Sequence, residues 1–297
     1  MSWIFLTISA IILQIIRNLE QKKLHKNLDV FTTSWSRFIL PFPFAIIAVA
    51  STFHSYNYEF FHYILINAIF QILGNIFLIK IIQTRNFSVG VAFSKTEVIQ
   101  ALIIGFFLYN FRFNYKEIIA IFLAFIGIIF MAKLDFKNFQ NFTKSLKNIA
   151  SLYGILCGFC FGITSYNIQF ASNYLINNGS NSISASTLVL LYTIFIQNIF
   201  FITLKSCQKR LFCDLKKLFL IENYRRFLLT SISSFIGSIC WYGAYAIGNV
   251  IHVKTGGQLE IIGSMLVAKF YLKEKNTIKE NLGIIFIIIA ILLIILF

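Results

Sequence analysis

Apolar runs of about 20 residues recur along this chain from end to end, the length an α-helix needs to cross a hydrocarbon layer. In lipid, each backbone N–H and C=O must find its partner inside the protein. Runs of this kind therefore fold as helices and not as open sheet. Charged residues make up 12% of the 297 residues, against about 25% in a soluble domain. The sequence thus predicts an all-α integral membrane protein. The longest polar stretch, residues 206–226, is too short and irregular to bury a core. Apolar sequence begins at Trp3 without a basic segment or a small-residue cleavage site, so the first run is expected to be retained.

Ten spans are expected, at 2–19, 30–53, 61–82, 88–109, 115–134, 148–171, 183–205, 226–247, 249–271 and 277–296. Spans eight and nine are so close that they must form a tight hairpin around Gly248–Asn249. Outside the middle of the spans, 21 Lys and Arg fall on the side of the odd-numbered loops, with Arg17, Lys22, Lys23 and Lys26 assigned to the first loop. The other side has two, Arg112 and Lys116. Basic loops stay in the cytoplasm, so both termini are expected outside. The same rule accounts for the net charge of +15 without nucleic acid. Abundant Ile, Phe, Asn and Lys fit an AT-rich, bacterial genome and hence an inner-membrane location.

The second half of the chain repeats the first. At an offset of 163 residues, Gly74, Asn86, Glu97, Phe107 and Lys116–Glu117 match Gly237, Asn249, Glu260, Phe270 and Lys279–Glu280. Glu97 and Glu260 are each the sole acid in a long apolar stretch. Five crossings separate them, and an odd number inverts orientation. The two halves, 1–147 and 148–297, are therefore expected to be inverted five-helix repeats of one membrane domain.

The span count, the repeat, and the endings Ser94-Lys-Thr-Glu-Val-Ile-Gln…Gly105-Phe-Phe-Leu and Gly257-Gln-Leu-Glu-Ile…Phe270-Tyr-Leu-Lys-Glu274 resemble the EamA-like family of the drug/metabolite transporter superfamily. The second copy matches better, with Glu274 and Gly283 where the first has Phe111 and Ala120. The resemblance implies a carrier of small metabolites with a central cavity, and it carries over no list of binding residues.

The residues themselves nominate a site. An acid at mid-depth is costly unless paired, protonated or wet, and desolvation raises its pKa. Glu97 and Glu260 are thus candidates for proton coupling or for contact with a cationic group, against a plain buried ion pair. Arg37 cannot shed its charge, so it needs an acid, carbonyls or an anionic ligand. Lys254 lies one to two turns from Glu260, and Gln258 lies one turn from Lys254 on a similar face. Lys95 is two residues from Glu97 and is expected to point elsewhere and to snorkel or pair. Pro41 and Pro43 bend span two beside Arg37. Trp241, Tyr242 and Tyr245 either frame a cavity or form an interfacial belt. Asn75 is one of several span amides, with Gln14, Asn167, Gln197 and Asn198, that pair between helices or line a cavity.

Gly154, Gly158 and Gly162 form a smooth stripe for close helix approach, which leaves monomer and homodimer both open. Cys157 and Cys160 read as small packing residues. His54 and His62 flank Glu59 in a loop, where a solvated role outweighs a metal site. Phosphate-binding and nucleophile motifs are missing from the sequence. No cofactor is expected, and the partners expected are a small-molecule substrate, the bilayer and protons.

These residues predict a secondary active transporter of a small polar metabolite, such as an amino acid, another zwitterion or an organic anion. The alternatives are a multidrug or small-cation exporter and, from another class, a membrane-embedded lipid-modifying enzyme.

Overall fold

The computed structural model describes residues 2–52, 58–84, 91, 94–95, 97–110, 112, 114–131, 149–271, 273 and 278–296. His54, Phe111 and Glu274 lie outside the described residues, as does most of the loop expected after span five. The described residues form helices without a strand. In the first half these are α1 (Ser2–Leu24), α2 (Val30–Trp35), α3 (Phe42–Thr52), α4 (Tyr58–Thr84), α5 (Glu97–Tyr109) and α6 (Tyr115–Met131). The second half has α7 (Ile149–Asn177), α8 (Ser182–Cys207), α9 (Leu211–Leu218), α10 (Ile221–Ile247), α11 (Val250–Gly256), α12 (Leu259–Phe270) and α13 (Ile278–Leu296).

Among the described residues, four helices are each long and apolar enough to cross a membrane: α1, α8, α10 and the 59–83 portion of α4. Their amphipathicity is reversed from that of a soluble bundle. Phe5 on α1, Leu65 on α4, Phe200 on α8 and Ile232 on α10 are exposed on outer faces, as lipid contact requires. The buried side carries polar stripes at helical spacing. These are Gln14, Arg17, Asn18 and Gln21 on α1, and Asn67, Gln71 and Asn75 on α4, and all but Gln14 are buried.

Three of the expected spans are broken helices. In the second, α2 stops at Trp35 and α3 starts at Phe42, leaving Arg37 in turns between them. Pro41 and Pro43 sit where a missing N–H costs least, just before and within the first turn of α3. In the fourth span, Lys95 lies in a turn and α5 starts only at Glu97. In the ninth, α11 ends at Gly256 and α12 begins at Leu259. The hairpin between α10 and α11 is as tight as expected. Gly248 caps α10, and the Asn249 side chain accepts from the Ile251 N–H at 2.8 Å.

Packing pairs α1 with α10, α4 with α7, and α6 with α13. The glycine stripe serves a contact within the chain. A Cβ on Gly158 would lie 2.9 Å from the Glu97 backbone nitrogen, and one on Gly162 would lie 2.9 Å from the Ile104 side chain. Glycine here lets α7 approach the start of α5. Cys157 and Cys160 are free thiols, and Cys157 donates to the Gly74 carbonyl across the α4–α7 seam.

Several helix ends share one face of the bundle. Gln83, at the end of α4, donates to the Lys22 carbonyl at 2.9 Å, and Lys23 donates to the Tyr271 hydroxyl at 3.0 Å. On the same face Lys205, closing α8, is held between Asp214 at 2.7 Å and Asp29 at 3.0 Å. The polar stretch 206–226 is more ordered than its sequence suggests. It contains α9, whose Leu218 packs with Leu24, Leu28 and Phe227.

Candidate functional site

The three breaks bring charge to one place. Arg37 comes from the turns of span two, Lys95 from the turn before α5, and Lys254 from the last turn of α11. Glu97 and Glu260 each lie in the first turn of their helix, where the N-terminal dipole favours a carboxylate. A polar cavity opens among these groups. It is walled by Arg17, Arg37, Lys95, Glu97 and Lys254, with Gln14, Gln71, Thr164 and Ser238, and by the rings of Trp241, Tyr242 and Tyr245. Its volume is about 60 Å³, enough for several water molecules or a small solute.

The ion pairs cross between the halves. Lys95 Nζ is 2.6 Å from Glu260 Oε2 and 3.5 Å from Glu97 Oε1. Lys254 Nζ is 3.4 Å from the other oxygen of Glu97. The expectation that Lys95 points away from Glu97 is therefore corrected. It assumed a continuous helix, and Lys95 lies in a turn ahead of α5. Glu97 and Glu260 are likewise not in the middle of unbroken spans but at helix starts next to a break.

Glu260 is 1% exposed and fully engaged. Besides Lys95, it accepts from Gln14 at 2.6 Å and Asn18 at 2.8 Å. Gln14 in turn accepts from the Trp241 indole N–H at 2.8 Å. Trp241 stacks on Tyr245 with ring centroids 5.8 Å apart, so these aromatics form a cavity wall and not an interfacial belt. Tyr242 is buried, accepts from Asn67 at 2.9 Å, and reaches Gln71 at 3.4 Å.

Arg37 is buried. It donates from Nη1 to Asn75 Oδ1 at 3.0 Å, and Asn75 donates onward to Ser34 at 2.7 Å. Asn75 thus positions the guanidinium and does not itself line the cavity. Gln258 is wholly buried beside the break, and neither end of its amide has a hydrogen-bond partner among the described residues. It is not part of the cavity wall, although its spacing from Lys254 put the two on a similar face. The turn at 257–258 breaks that register.

Arg17 corrects the sequence reading most sharply. Assigned to the first loop, it is instead 5% exposed within α1 and lines the cavity. The helix runs to Leu24, past the expected end of the span at 19. Gln14, Gln71, Asn18, Thr164 and Ser238 were also not singled out as site residues. The periodic polar stripes on α1 and α4 were the signal that could have found the first three and Arg17.

The comparisons with known proteins agree with this architecture. The model of the EamA-like transporter family matches residues 1–133. The members of that family are transporters rather than enzymes. No curated protein matches the chain. A solved structure titled only "Crystal structure of protein" superposes with a TM-score of 0.67 at 10% sequence identity, covering 99% of this chain and 96% of that chain. That likeness concerns the fold alone. The long apolar helices point to an integral membrane protein, and its residues 1–133 match the model of the EamA-like transporter family, which is part of the drug/metabolite transporter superfamily.

Proposed function

We propose that the chain is a secondary active transporter of a small polar metabolite (an amino acid, another zwitterion or an organic anion) that works by alternating access. One observation carries this reading: charged side chains from both halves meet at a polar cavity inside an apolar helical bundle. Burying so many charges is costly, and transport gives them a use that a scaffold would not.

The packing pattern supports ten spans arranged as two inverted repeats, 1–147 and 148–297. Exchanging spans one to five with six to ten turns the α1–α10 contact into the α7–α4 contact. The same exchange turns α5–α7 into α12–α1, and α6–α13 maps onto itself. Broken helices at a repeat interface suit a midplane binding site. With Arg17 moved into the bundle, 20 basic residues still fall on the odd-loop side. That supports termini outside a bacterial inner membrane. Four basic side chains line the cavity against Glu97 alone among acids, which weighs against a small-cation exporter.

The crossed pairs Lys95–Glu260 and Lys254–Glu97 join the halves, so rocking one half against the other must loosen them. A proton on either carboxylate weakens its hold on the lysine, and that is the proposed coupling. Purified protein in liposomes is expected to concentrate its substrate along a proton gradient. Glu97→Gln and Glu260→Gln are expected to lose that accumulation while still equilibrating substrate downhill. Continued gradient-driven accumulation by both variants would rule the coupling out.

A further inference from the structure

We infer that the cavity selects a small organic dianion, a dicarboxylate or a phosphate monoester, through Arg17 and Arg37. The inference rests on the transporter reading and narrows its substrate class. The charge balance of the site leads to it. Lys95 and Lys254 are matched by Glu97 and Glu260, all within 3.5 Å of a partner. This set of two lysines and two glutamates neutralises itself. Arg17 and Arg37 are left over.

Among the described residues, neither guanidinium has a carboxylate within 4.0 Å. Arg17 donates to Asn18 Oδ1 from Nε at 3.2 Å and from Nη2 at 2.9 Å. Arg37 donates to Asn75 at 3.0 Å, and its buried Nε has no hydrogen-bond partner among the described residues. Both groups are at least 95% buried, at 5% and 3% exposure, and both line the cavity. An arginine keeps its proton and presents a planar fork that matches carboxylate or phosphate oxygens. Two such forks face one cavity; among the described residues their hydrogen bonds go to neutral amides, and the Phe38 ring lies 4.8 Å from the Arg37 guanidinium, so two positive charges are left for a ligand to balance.

The indole and phenol rings of Trp241 and Tyr245 offer the ligand's carbon skeleton an apolar wall. A zwitterion would bring an ammonium toward a site that already holds four cations. The dianion instead neutralises the surplus without disturbing the lysine–glutamate set.

The test is titration of the purified full-length protein in detergent with succinate and glycerol 3-phosphate. Propionate, succinamide, alanine and tetraethylammonium serve as comparisons. At least one dianion is expected to bind about tenfold or more tightly than propionate, with succinamide and tetraethylammonium weaker still. Arg17→Gln and Arg37→Gln are each expected to weaken dianion binding by about tenfold or more. Arg37→Lys keeps the charge but not the fork, and should weaken it less. The comparison of ligands on the unaltered protein needs no variant to fold. Dianions that bind no tighter than propionate or alanine would overturn the inference, as would unchanged dianion affinity in a folded Arg17→Gln protein. If alanine is bound and carried across liposomes while dianions are not, the transporter reading stands and the dianion inference falls. If none of these solutes crosses, the transporter reading itself loses its support.

Discussion

Replacing Lys95 with methionine is expected to abolish transport and to lower stability by about 3–5 kcal/mol. Lys95 is 3% exposed and stands between both glutamates, 2.6 Å from Glu260 and 3.5 Å from Glu97. Methionine fills a similar volume but takes the only ammonium within 4.0 Å of Glu260 among the described residues. That carboxylate would keep the amides of Gln14 and Asn18 and lose its counter-charge in an apolar bundle. The cost is that of an uncompensated buried charge and not the modest net worth of the pair. The double variant Lys95→Met with Glu260→Gln should therefore recover most of the stability, because both charges leave together. It should not recover transport, because the tie between the halves is gone. Thermal unfolding and liposome uptake of the parent and both variants check this. A single variant as stable as the parent would mean that Glu260 is wet or neutral, contrary to the crossed pairing described above.

The second large effect is expected at the face where the helix ends gather. Lys205 is 1% exposed and bonded to Asp214 at 2.7 Å and to Asp29 at 3.0 and 3.2 Å. Thr32 ties the two acids together, at 2.7 Å from Asp29 and 3.2 Å from Asp214. Lys205→Met leaves Asp214 buried with Lys217 at 3.8 Å as its remaining cation within 4.0 Å among the described residues. A loss of about 3 kcal/mol is expected, the low end of the range for a broken buried pair, because the Asp29 side chain is 40% exposed. Adding Asp214→Asn should restore most of it. The pH dependence gives a separate signature. Burial pushes the Asp29 carboxyl up, but hydrogen bonds from Thr32 and the Lys205 ammonium outweigh this and hold it below the usual 3.8. A lowered acid contributes stability above its unfolded pKa and loses it as pH falls through the folded value. The gap between parent and Lys205→Met should thus be full at pH 7 and narrow as pH drops below about 4. A gap that stays constant into acid would show that Asp29 contributes nothing through Lys205.

The residue types that build the site were legible in the sequence, while their geometry was not. A lone acid or arginine in an apolar run has so few bland explanations that Glu97, Glu260, Arg37 and Lys254 could be picked out one by one. Their partners could not, because reading faces from sequence assumes a continuous helix. At Lys95 that assumption fails, and a residue two places from Glu97 turns back to touch it. The break near Gly256–Gly257 carries a glycine doublet as its signal. The matching break before Glu97 has no such doublet next to Lys95. Arg17 was missed for a different reason. A cation near the end of an apolar run reads as a loop residue, and only the polar stripe it shares with Gln14, Asn18 and Gln21 marks it as facing inward. The inferred dianion preference depends on that single reassignment, since without Arg17 the cavity would hold one surplus charge instead of two.

The most direct test of the central claim, a cavity reached in turn from either side, is the accessibility of a thiol placed in its wall. Ser238 lines the cavity and is 8% exposed. Ser238→Cys would be made in a chain whose five native cysteines are replaced by serine. A membrane-impermeant thiol reagent would then be added to right-side-out and to inside-out vesicles. Alternating access predicts labelling of the introduced thiol from both sides, slowed from either side by saturating substrate. Labelling from one side only, or at the same rate with and without substrate, would contradict it.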